Sequence, residues 1–251
     1  MFGWLRKRAA AREIPEALWR ATLQRYPFLS RHDPRRLHEL ASQFLAHKEF
    51  HGANGLVITD EIAVAIAAQA ILPVLHLGLS WYDDFVGIVV HPDEVVAKRT
   101  SVEETGVVHE WEEVISGEAM ERGPVTLSWS DVAAAGESAQ DGYNVVVHEF
   151  IHKIDMRDGN PDGCPPLPTL AARKAWLEVM AREYEAFREK VIVADRFGGD
   201  KPWLDPYGAE AIDEFFAVAG EAYFVAPERF REEHAELARL FDGFFLNASA
   251  P

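Results

Sequence analysis

Residues 145–155 read VVVHEFIHKID, and the reading of the whole chain turns on how that stretch folds. Its apolar residues Val145, Val146, Val147, Phe150, Ile151 and Ile154 fall on nearly every side of a helical projection, which predicts a helix buried in a domain core. Successive helical residues turn by about 100°, so His148 and His152 stand about 40° apart on one face, one turn above the other. Two imidazoles so placed can share one metal ion. Glu149, one position along, cannot join that chelate but can reach a water beside the metal, as a general base must. Composition predicts on the order of 0.04 chance occurrences of HExxH in a chain of this length. Burying two histidines and a glutamate in such a helix is costly unless they are paired or bind a metal.

A catalytic zinc site needs a third protein ligand and one open position. Asp158 stands at the third-ligand spacing of the extended HExxHxxGxxH/D pattern, but Asp155 occupies the place of the glycine that lets such a chain bend back. The other source is the segment DPYGAEAIDEFFAVAGEAYF, residues 205–224, whose apolar residues predict a second buried helix. Glu210, Asp213, Glu214 and Glu221 all compete there, and composition does not choose among them. Gly220 interrupts this helix where a better helix former is expected.

Working outward, the first third reads as helices over Pro15–Tyr26, Asp33–Glu49 and Asp60–Leu72, with Asp33-Pro34 as a helix start. Phe85–Val90, Val107–Val114 and Val125–Trp129 read as strands, punctuated by Pro92, Gly106, Gly117 and Gly123-Pro124. They predict a small, mainly antiparallel sheet. Helix is expected again from about Ser138 to Met156 and from Thr169 to Val193, with loops at Asp158–Pro168 and Phe197–Gly208.

The 251 residues, 48% hydrophobic, suffice for one large core or a catalytic domain with a smaller lobe. The single cysteine, Cys164, excludes an internal disulfide and a thiolate zinc site and fits reducing cytosol. Residues 1–12, MFGWLRKRAAAR, lack the apolar core of a signal peptide, and Ile62–Leu79 is broken by Gln69, Pro73 and His76, so neither export nor a membrane span is expected. A net charge of -16 disfavours direct nucleic-acid binding.

Four segments carry a family resemblance: HEFIHKID at 148–155, ITDEIAVAIAAQA at 58–70, GPVTLSW at 123–129 and YGAEAIDEFFAVAGEAYF at 207–224. The chain resembles the Mlc titration factor A family, zinc peptidases of the gluzincin type whose catalytic part is similar to that of anthrax lethal factor. The resemblance implies an α+β fold: a zincin-like catalytic domain over residues 81–251, with a helical N-terminal region, residues 1–80, packed on it. It implies His148, His152 and Glu214 as ligands of one Zn2+, Glu149 as general base and Tyr207 as a phenolic donor to the oxyanion. It further implies a cytoplasmic, aminopeptidase-like enzyme acting on peptides through a zinc-bound water, and binding to the Mlc transcriptional repressor that governs glucose uptake genes. A competing expectation is a non-catalytic, repressor-sequestering protein with a structural zinc. From the zincin architecture, Val125–Trp129 is expected to be the edge strand along which an extended substrate pairs.

Overall fold

The structure is a computed structural model that describes residues 13–102, 108–115 and 117–246. The basic cluster within residues 1–12 and the expected strand start at Val107 lie outside the described residues. The N-terminal part supplies α1 (Glu16–Arg25), α2 (Pro34–His47), the short strand β1 (Glu49–Gly52) and α3 (Asp60–Ala70). Asp33 caps α2 through its side chain, as the Asp33-Pro34 start predicts, and Thr59 caps α3.

The sheet strands are β2 (Gly87–His91), β3 (Val95–Val102), β4 (Val108–Ile115), β5 (Gly117–Ala119) and β6 (Val125–Ser128). β1, β2, β6 and β5 lie side by side in that order, while β3 and β4 form a separate antiparallel pair. The α+β class is as expected, with two corrections. The four-stranded sheet is mixed rather than mainly antiparallel, because β1 pairs parallel to β2 and β2 parallel to β6. A crossover through α3 separates β1 from β2, and crossovers of that kind allow parallel pairing. Nor is β6 an edge: β2 flanks it on one side and β5 pairs antiparallel on the other, so β5 is the terminal strand.

α5 (Val145–Asp155) corresponds to the helix expected from about Ser138 to Met156 but begins later, and a further helix, α4 (Trp129–Ser138), not expected from the sequence, precedes it. Gly142, left-handed at φ 81°, separates them. The Asn144 side chain then accepts the Val147 N–H at 2.9 Å and starts α5. α5 ends in a turn closed by Gly159 at φ 94°. The long α6 (Leu170–Phe197) leads through a loop to α7 (Ile212–Val225), α8 (Pro227–Glu233) and α9 (Ala235–Phe245).

One apolar core joins these elements, with α5 at its centre. Behind the histidines, Phe150 packs against Phe44, Tyr82 and Phe85 with ring centroids 4.9–5.9 Å apart. A fully buried phenylalanine contributes about 1.5–3 kcal/mol, which anchors the reverse face of α5. On the near side α7 crosses α5 at Gly220, where a Cβ would lie 2.8 Å from Ile151 Cγ1. Among the described residues no helix is long and apolar enough to cross a membrane.

Candidate metal centre

His148 and His152 leave α5 on one face, and Glu214 reaches them from the first turn of α7. The two Nε2 atoms are 3.1 Å apart, and Glu214 Oε2 lies 3.1 Å from one and 3.2 Å from the other. All three side chains are largely buried, at 12%, 11% and 20% exposure. Three ligand atoms on a tetrahedron with bonds of about 2.0–2.1 Å stand about 3.3 Å apart, so the observed triangle has the dimensions a tetrahedral divalent ion requires. Two imidazole nitrogens facing each other across 3.1 Å need a positive centre between them. In this donor set that centre is a proton or a metal, and the residues present fit a metal.

The electrostatics agree. Burial acts against a proton on His148, yet Glu221, Glu214 and Glu149 together hold its pKa well above the ordinary histidine value. Burial likewise works to raise the Glu214 carboxyl, and the hydrogen bonds to His148 and His152 override it, holding that group below the usual carboxylate range. The field of the site favours positive charge.

Glu149 lies within electrostatic reach of both histidines and Glu214, only 4% exposed, with Oε2 buried and unpartnered among the described residues. Burial pushes its carboxyl up to about 7; the two histidines oppose the rise, and Glu214 and Glu221 add to it. Tyr207, in the 3-10 turn Pro206–Ala209 just before α7, places its ring 6.1 Å from the His148 ring and is 37% exposed, so it stands at the mouth of the site. Gly208 lets that turn sit close on Val218, Phe187 and Phe215.

The structure thus brings His148, Glu149, His152, Glu214 and Tyr207 together. Among the described residues the histidines and Glu214 are the group that could hold a metal ion. Asp158 is not part of it: exposed, it accepts the Asn160 N–H. Of the rival carboxylates, Glu221 lies behind the site, its Oε1 2.7 Å from His148 Nδ1. From sequence alone it competes as a ligand. Its seven-residue spacing from Glu214, two helical turns on one face, is the signal that both address α5. Gly117, read as a strand breaker, instead opens β5 directly over Glu149: a Cβ there would lie 2.5 Å from Glu149 Oε1.

The sequence profile of the glucose-regulated metallo-peptidase M90 family matches residues 1–246. The chain belongs to that family. An uncharacterised protein of Synechocystis sp. is 33% identical over 96% of this chain and 88% of its own. Proteins called Mlc titration factor A from Edwardsiella ictaluri and Serratia proteamaculans are 35% and 34% identical, over 83% and 91% of this chain and 80% and 86% of theirs. Membership of the M90 family implies a metal ion, and in this M90 chain the His148–His152–Glu214 triangle is the group suited to one.

Proposed function

We propose that this chain is a zinc-dependent, aminopeptidase-like peptidase in which His148, His152 and Glu214 hold one Zn2+. The observation that carries the reading is the triangle of two imidazole nitrogens and one carboxylate oxygen, with an unpartnered carboxylate beside it. Two nitrogens and one oxygen are the donor set of catalytic rather than structural zinc, because three protein ligands leave a position open. Zinc bound there would supply Lewis acidity, polarising the scissile carbonyl and lowering the pKa of a water.

The chain's own residues do the rest. Glu149 takes the proton of the attacking water and passes it to the leaving amine. Tyr207 donates its phenolic hydrogen to the oxygen on which charge develops. β5, the terminal strand beside Glu149, offers an extended peptide a backbone ladder, the role the sequence alone assigns to the β6 segment. We assign the protein to the cytoplasm, with residues 1–80 as a helical region packed on a catalytic part formed by 81–251.

A second reading has support from the relatives: several carry the name Mlc titration factor A. On that reading the chain binds the Mlc repressor, with or without cleaving anything. One variant tests both. Glu149→Gln is expected to keep its zinc and lose hydrolysis of chromogenic amino acid amides by at least about 100-fold, the usual contribution of a general base. Undiminished hydrolysis with normal metal content would sink the mechanism. Full repressor binding by the inactive variant would show two separable functions.

A further inference from the structure

Behind the metal triangle runs a chain of buried polar groups that ties three helices to one imidazole. Gln69, at the end of α3, Asn144, which caps α5, and Glu221, midway along α7, are all 0–1% exposed. Each of their six polar side-chain atoms has a partner. Gln69 Nε2 donates to the Ala65 carbonyl at 3.1 Å, which leaves Gln69 Oε1 as an acceptor. Asn144 Oδ1 accepts the Val147 N–H, which leaves Nδ2 to donate to Gln69 Oε1 at 2.8 Å. The Asn144 backbone N–H donates to Glu221 Oε2 at 2.5 Å, and Glu221 Oε1 is 2.7 Å from His148 Nδ1.

Backbone groups beside each member therefore dictate the orientations along the chain. The Ala65 carbonyl can only accept and the Val147 amide can only donate, so neither Gln69 nor Asn144 can flip without facing like against like. Glu221 meets a donor at each oxygen, a demand a carboxylate satisfies and a carboxamide cannot. Held this way, Glu221 takes the Nδ1 hydrogen of His148 and aims the Nε2 lone pair at the centre of the triangle. Leaving any member of such a buried network unsatisfied is costly, so the arrangement is steep rather than soft.

We propose that Glu221, Asn144 and Gln69 are positioning residues that set metal affinity by fixing the tautomer and direction of His148, and that α3 thereby belongs to the metal site without touching it. The proposal rests on the reading of His148, His152 and Glu214 as metal ligands. All three are buried and act through His148, which Glu221 meets at Nδ1.

The test uses the whole chain with zinc or cobalt(II) alone. In chelator competition Glu221→Gln is expected to weaken zinc binding about ten- to hundred-fold, the usual cost of losing a partner of a ligating histidine. Gln69→Met, which keeps the bulk and removes the acceptor for Asn144, is expected to weaken it about ten-fold, the lower end of that range. Both variants should shift the d–d absorption of bound cobalt, which a mere loss of stability would leave in place. In the double variant Gln69→Met should add almost nothing, because its influence passes through Glu221. Wild-type affinity and an unshifted cobalt spectrum in either single variant, or additive losses in the double, would overturn the relay. If Glu221→Gln does not fold, Gln69→Met decides the matter by the same two readings. A wild-type chain that takes up no metal would instead sink the metal reading itself, and the relay with it.

Discussion

Glu149 reaches the site only because the residue above it has no side chain. A Cβ on Gly117 would lie 2.5 Å from Glu149 Oε1, 2.7 Å from Cγ and 2.8 Å from Cδ, distances that leave the carboxylate nowhere to stay. Register prevents the strand from yielding, since Gly117 is paired with Leu127 of the interior strand β6. Gly117→Ala should therefore push the base aside by about an ångström, a misplacement that costs on the order of 100-fold in rate. The proposed ligands lie on α5 and α7, so metal content should not change. Rate and bound metal measured on one sample check this; a wild-type rate in the alanine variant would refute it. The pairing of His148, Glu149 and His152 was legible because helical spacing is a local property. The need for glycine at 117 was not, because it exists only once β5 is laid across α5.

At the scale of elements, the site depends on how closely α5 and α7 approach. Gly220 looked like a weak point in a helix, at a cost of about 1 kcal/mol relative to alanine. The structure gives it a reason: Ile151 fills the place of its side chain. Gly220→Val should wedge the helices apart, lowering stability by about 1–3 kcal/mol and weakening metal binding, since Glu214 rides on one helix and both histidines on the other. Urea unfolding and zinc affinity measure the two effects separately. A valine variant with full stability and affinity would show that the approach is not tight. Helices α1, α2, α3 and α6 were read from sequence to within a few residues because their apolar period repeats, whereas α5 begins seven residues later than expected and α4 was not foreseen. The strands fared worse: β1 and β5 are four and three residues long, too short to show an alternation, and pairing direction depends on crossovers no local pattern reveals.

Across the whole molecule, the two helices that carry the proposed ligands are distant in sequence and meet only in the folded chain. Some sixty residues, including all of α6, separate His152 from Glu214. The shared core is continuous with β1 and α3, which come from the first 80 residues; β1 is hydrogen-bonded to β2, and α3 packs on α5. A metal bound across α5 and α7 therefore ties the folded chain together at its centre, and the unfolded chain has no such site to offer. Ligand at 100 to 1,000 times its dissociation constant adds about 2.7–4.1 kcal/mol to the folded state. For a domain of this size each kcal/mol moves the midpoint by about 2–4 °C. Saturating zinc should accordingly raise Tm by about 5–16 °C over the chelated protein. Without metal, the attraction of Glu214 and Glu221 for a protonated His148 recovers part of that gain, which favours the lower end. Glu214→Ala should abolish the zinc-dependent increment, whereas Asp158→Ala, altering an exposed turn, should keep it whole. Thermal unfolding of the three proteins with zinc and with chelator distinguishes the ligand sets: an increment lost in the Asp158 variant and kept in the Glu214 variant would reverse the assignment of the third ligand.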